Sequence, residues 1–298
     1  MQPLFLIATY STLIVMASLA GGWLPSLAKL THVRMQLMMS LVSGLMLGIA
    51  MLHMLPEASA HVASMTKVSG AMLAGLLVMF FLLRVFHVHG HGDLDHDGCH
   101  DHASHSHQHS HDSHVAGHRL NWLGLFFGLA IHTLLDGVAL SASVVADARH
   151  SSQSSGWFGL GTFLAVLLHK PLDALAITSL MQAGGWTKRS QSVVNLGYSL
   201  MCPIGALVFW FGATQLAAEH SSLIGYALAF SAGFFLCIAL GDLLPEVQFH
   251  SHNRVSLSAA LLVGVAMAIG IEWTHSHQHD DSQHHVPGHQ HSEHHDHH

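Results

Sequence analysis

The stretch 131-IHTLLDGVALSASV-144 decides how this chain is read. Its apolar residues suit a membrane-buried helix, yet it sets a histidine and an aspartate four positions apart. On a helix, residues i and i+4 share a face. His132 and Asp136 therefore belong to one side of a segment that otherwise suits lipid. A second stretch repeats the pattern: 169-HKPLDALAITSL-180 places His169 four positions before Asp173.

Composition sets the context. Half of the 298 residues are apolar and only 9% are charged. A soluble domain carries about a quarter charged residues, so the chain reads as a polytopic membrane protein. Runs long enough to cross a bilayer, about 20 residues each, fall near 3–25, 36–56, 68–87, 120–146, 156–183, 192–214, 222–246 and 255–273. The expected fold is all-α, with eight membrane-spanning helices. The first run lacks a basic start and a clear small-residue cleavage site, so it counts as a span and not as a signal peptide. Cys99, Cys202 and Cys237 show no CxxC spacing, which argues against a disulfide framework or a cysteine zinc site.

Two tracts break the apolar pattern. Residues 87–118 hold 12 of the 32 histidines and the tail 275–298 holds 11. Both are rich in polar residues and low in complexity, so neither builds a core, and disorder is expected. Imidazole ligates zinc, copper and nickel, so both tracts should bind such ions loosely. With the N-terminus outside, the inner connections carry Lys29, Arg34, Arg84, Arg119, Lys188, Arg189 and Arg254, and the outer ones carry only Lys67 and Arg149. The bias of basic residues to the inside places both termini outside and the first histidine tract in the cytoplasm.

Internal similarity runs through the spans. The two His-x-x-x-Asp segments lie in the antiparallel fourth and fifth spans. A looser pair, 52-LHMLPEA-58 and 241-GDLLPEV-247, ends the second and seventh. The pattern is a 3+2+3 inverted repeat, with spans 1–3 mirrored by 6–8 around the 4/5 pair. Such repeats characterise transporters, whose sites lie near the midplane. His132 lies 13 residues beyond Arg119 and His169 lies 13 beyond Gly156, each about 20 Å in from opposite faces.

Facing each other, His132, Asp136, His169 and Asp173 supply two nitrogens and two oxygens. That set suits a tetrahedral zinc and tolerates other first-row divalent ions. Structural polar contacts between membrane helices are the plainer reading. An ionisable group in mid-membrane costs several kcal/mol, however, and four are matched here beside Lys170. Gly128 and Gly137 bracket the first pair and allow close backbone approach. Pro171 frees a carbonyl near residue 167. Lys170 either pairs with a carboxylate or takes the place of a second cation.

These residues resemble the ZIP (Zrt/Irt-like) family of divalent metal transporters. Its fourth-helix signature, His-Asn-x-x-Asp/Glu-Gly, is matched by His132-Thr133-Leu134-Leu135-Asp136-Gly137. Its fifth-helix His-x-x-x-Glu, or a variant, is matched by His169 to Asp173. The resemblance covers roughly residues 3–273 and implies that His132, Asp136, His169 and Asp173 form the transport site. It implies that Thr133 and Lys170 stand where some members hold a second metal, a site expected to be absent here. It also implies that His53, Glu57, Asp242 and Glu246 are relay or gate ligands.

The organisation expected is spans 1–3 in 1–87, a disordered cytoplasmic loop in 88–118, the metal-site spans in 119–184, spans 6–8 in 185–274, and a disordered tail in 275–298. The function expected is import of a divalent metal, zinc first, with the ion as substrate and no prosthetic group. The expected setting is a plasma or inner membrane. The partners expected are divalent metal ions and the lipid bilayer, with homodimerisation left open and no nucleic acid. Two alternatives stay in view. A cation diffusion facilitator exports metal, but usually has six spans and a folded C-terminal domain. An intramembrane zinc hydrolase needs an open water position and a nearby base, and no HExxH is present, so no enzyme activity is expected.

Overall fold

A computed structural model describes residues 2–27, 32–87, 112–150, 158–216, 222–249 and 254–280, with side chains described for 2–23, 33–84, 126–149, 158–212, 222–241 and 255–273. Among the described residues all regular structure is helical. The helices are α1 (Gln2–Leu27), α2 (His32–Ile49), a π turn (Ala50–Met54) leading into α3 (Leu55–His61), α4 (Met65–His87), α5 (Asp112–His150), α6 (Leu160–Ala183), α7 (Lys188–Ser199), α8 (Met201–Leu216), α9 (Ser222–Phe249) and α10 (Arg254–Asp280). They make eight helical segments long and apolar enough to cross a membrane. The second span is α2 with the π turn and α3, and the sixth is α7 with α8. In lipid only a helix satisfies every backbone group within its own segment, so an apolar chain of this kind folds as stacked helices.

Several boundaries differ from expectation. α5 starts at Asp112, inside the stretch 88–118 read as disordered, and α10 continues to Asp280, inside the tail. Extending a formed helix adds one hydrogen bond for each residue fixed and costs far less than nucleating one. Polar residues next to a span can therefore stay helical. The sixth span is longer than read and is divided at Leu200. The rest of both histidine tracts, 88–111 and 281–298, lies outside the described residues.

Packing pairs the spans closely. α2 runs along α10, α4 along α9, α5 along α8, and α1 along α6. Close approach at these seams needs small residues. A Cβ on Gly137 would strike the carbonyl oxygen of Cys202, and a Cβ on Gly205 would strike that of Leu134, so α5 and α8 touch backbone to backbone. Large apolar side chains such as Phe5, Met16, Phe81, Val208 and Leu262 stay exposed on the outside, where lipid would cover them. α5 is the central helix: every side chain from Ala139 to Asp147 is buried.

Gly137→Leu should therefore drive a side chain into the α8 backbone, at a cost of about 1–3 kcal/mol. Gly212→Ala, in open space, should cost nothing. Thermal melts of the two detergent-solubilised variants should separate, with only the first lowered.

Candidate metal centre

The four ligands expected from the spacing come together where α5 crosses α6. His132 and Asp136 lie one turn apart on α5, and His169 and Asp173 one turn apart on α6. One ligand atom from each lies within 4.8 Å of the other three. His132 Nε2 is 3.4 Å from Asp136 Oδ2 and 3.4 Å from Asp173 Oδ2. His169 Nε2 is 3.2 Å from Asp136 Oδ2 and 3.8 Å from Asp173 Oδ2. Ligands at zinc bond lengths in a tetrahedron stand about 3.3 Å apart, so these spacings fit one ion. His132 is 2% exposed and Asp136 fully buried.

Local structure orients the donors. His169 Nδ1 sits 2.7 Å from the Ala165 carbonyl oxygen. Donation from Nδ1–H to that carbonyl leaves the Nε2 lone pair directed at the carboxylates, the tautomer a metal ligand needs. His132 Nδ1 and Asp136 Oδ1 are buried without a hydrogen-bond partner. An orphaned buried polar atom is costly, and two in one cluster mark it as built for something other than packing. α9 walls one side: Phe234 stacks on the His132 ring at 5.5 Å, and Phe235 meets His169 edge-on at 6.2 Å.

Lys170 is the fifth member. It pairs with Asp136, lies 3.3 Å from Asp173 Oδ2 and donates to Thr133 Oγ1 at 3.1 Å. Thr133 in turn donates to the Leu129 carbonyl at 2.8 Å. Thr133 and Lys170, expected as tuning residues, thus touch each other. Tyr198 on α7, which the sequence reading missed, is fully buried and donates to Asp173 Oδ2 at 3.1 Å. Its ring centroid lies 5.7 Å from the Lys170 ammonium. No spacing singles out one tyrosine in an apolar span, so only its position reveals it.

Pro171 sits inside α6, and its backbone fills the space where a Cβ on Gly21 of α1 would lie. Of the expected path residues, His53 is buried against α5 and α10, and Glu57 pairs with His61 at 3.5 Å. The side chains of Asp242 and Glu246 lie outside those described.

Lys170→Met strands two carboxylates at once, Asp136 and Asp173, which should cost roughly 3–5 kcal/mol. Adding Asp136→Ala to Lys170→Met should recover much of the loss, because the carboxylate that remains, Asp173, is partly exposed and keeps the Tyr198 hydroxyl. Melts of the single and double variants would measure this.

Comparison with known proteins follows the same line. A family model described as ZIP Zinc transporter matches residues 84–272, more than half of the chain. The zinc transporter ZIP9 of Macaca fascicularis is 32% identical over 165 residues, covering 50% of this chain and 67% of that protein. ZIP9 of Micropogonias undulatus is 34% identical over 132 residues, covering 43% of this chain and 40% of that protein. The zinc transporter YKE4 of Saccharomyces cerevisiae is 27% identical over 227 residues, covering 73% of this chain and 62% of that protein.

Proposed function

This chain belongs to the ZIP zinc transporter family, and we propose that it carries divalent metal, zinc first, into the cytosol through the cluster of His132, Asp136, His169 and Asp173. Membership makes it a multi-pass membrane protein of a transporter family and not an enzyme. Membership sets aside the hydrolase and the diffusion-facilitator family, and the inward direction is part of the proposal. The observation that carries the reading is the convergence of four ligand atoms within 4.8 Å of one another. The aromatic wall of α9 and the orphaned Asp136 oxygen support it.

The carrier must be stable both loaded and empty. Two bare carboxylates in mid-membrane would be prohibitive. Lys170 offsets one of them, so the empty site carries a net charge of −1 and still attracts a dication. Loading brings it to +1. The Lys170 ammonium stands among the same oxygens that a second ion would need, which supports a single-ion site.

The inverted repeat is supported by the packing. Exchanging spans 1–3 with 6–8, and 4 with 5, maps the second–eighth pair onto the seventh–third and the fourth–sixth pair onto the fifth–first. All four of these pairs run closely together. Alternate opening of such halves would expose the central ligands to each side in turn. The distribution of basic residues supports outward termini and a cytoplasmic first histidine tract, where arriving ions would be held loosely.

Purified full-length protein in liposomes should take up zinc against a panel of competing cations. Asp136→Ala and His169→Ala should each cut that uptake by roughly 100-fold or more, since even outer-shell changes at metal sites cost 10–100-fold. Normal uptake in both variants would reject the cluster as the transport site.

A further inference from the structure

A second group of polar side chains converges away from the central cluster. It gathers on the π turn, α5, α6 and α10. The π turn closes with the Leu55 N–H donating to the Ala50 carbonyl, five residues back. The extra residue shifts the helical register by about 100°, and such turns concentrate at functional sites. It presents His53, buried, between two carboxylates. Nδ1 lies 3.1 Å from Glu272 Oε2. On the other side, Nε2 lies 3.3 Å from Ser143 Oγ and 3.8 Å from Asp147 Oδ1. Asp147 is held in turn: its Oδ2 accepts the Gly159 N–H at 2.7 Å. Gly159 has φ +70°, so glycine is the residue that best allows this cap. Thr162 donates to Ser143 Oγ at 3.0 Å.

The arrangement has the logic of a carboxylate–histidine–metal relay. A carboxylate on one ring nitrogen fixes the tautomer and directs the other nitrogen's lone pair at an ion. Glu272 takes the first role. We propose that His53 Nε2, Asp147 Oδ1 and Ser143 Oγ form a second docking site for the transported dication, with Glu272 orienting the imidazole. Two bonds of about 2.0–2.2 Å span the 3.8 Å from nitrogen to carboxylate at an angle wider than tetrahedral. Only one nitrogen, one carboxylate and a hydroxyl are offered, so water completes the shell and the ion is held weakly. A station on a path needs this: binding strong enough to enter and weak enough to leave.

Its place fits a path. Ser143 lies seven positions after Asp136 on α5, and Thr162 seven before His169 on the antiparallel α6. The two polar levels are therefore about 10 Å apart on the same pair of helices. His53 was an expected path residue, but its partners Asp147, Ser143 and Glu272 were not. The inference rests on the transport reading only in taking the cargo to be a zinc-class dication.

The test uses the full chain and cadmium, whose bond to a thiolate gives a near-ultraviolet charge-transfer band that imidazoles do not. The imidazoles of the histidine tracts therefore stay silent, and the bands of Cys99, which lies within the first tract, Cys202 and Cys237 are subtracted with the wild type. Ser143→Cys should add a cadmium-dependent band, His53→Ala in that background should remove it, and Asp136→Ala, Asp173→Ala and Lys170→Met together, which take out the central charges as a set, should leave it in place. Asp147→Cys provides a second position for the same reading. No added band in either cysteine variant, or a band indifferent to His53, overturns the site. In liposomes, Glu272→Gln should raise the KM for zinc about tenfold with little change in maximal rate; an unchanged KM counts against its orienting role. Failure of the central cluster would show differently, as normal uptake by Asp136→Ala with this band intact.

Discussion

Everything in this molecule is arranged around three formal charges between two antiparallel helices, Asp136 and Lys170 buried and Asp173 half-buried. Asp136 and Asp173 cannot sit in a dry bundle unless something cationic stands beside them. Lys170 meets that requirement from inside the chain, and it is itself almost fully buried. The cluster is therefore mutually dependent: each charge makes the others tolerable. In the proposed transport site a dication would add to the compensation that the ammonium already supplies. Thr133 and Tyr198 complete the shell by giving Lys170 and Asp173 neutral polar contacts.

The surrounding fold serves that cluster by holding two helices at close range. Gly137 lets α8 press against the back of α5 at the level of Asp136. Phe234 and Phe235 of α9 close the histidine side with flat apolar rings, which exclude water without competing for the ion. The lipid-facing surface needs no such care, since bulky side chains there meet tails as apolar as themselves. Precision is thus concentrated in the interior.

A second polar level at Ser143 and Thr162 gives the α5–α6 pair a graded interior. The central level offers four strong donors, the other a histidine, a carboxylate and hydroxyls. A bundle built only for stability would leave neither level polar, since each buried donor or acceptor must find a partner. The two levels share the same helices because the α-helical repeat returns to one face after seven residues, two turns.

How much of this was legible beforehand follows from the kind of signal each part leaves. Hydropathy gave the eight spans, because twenty apolar residues in a row have few other uses. The His-x-x-x-Asp pairs were readable because the helix itself sets the four-residue spacing, and polarity inside an apolar run is conspicuous. Tyr198, Asp147 and Glu272 left no such mark. One is an ordinary aromatic, and the others sit near span ends, where acids commonly meet the interface. Their importance arises from contacts between helices far apart in the chain, such as His53 with Glu272. The π turn was equally hidden, since one extra residue in a helix has no compositional signature. The sequence by itself determined what lies along each helix, because local spacing is fixed by the backbone. Only the tertiary structure decided what lies across from it, because side chains on different helices meet through packing, which no local pattern records.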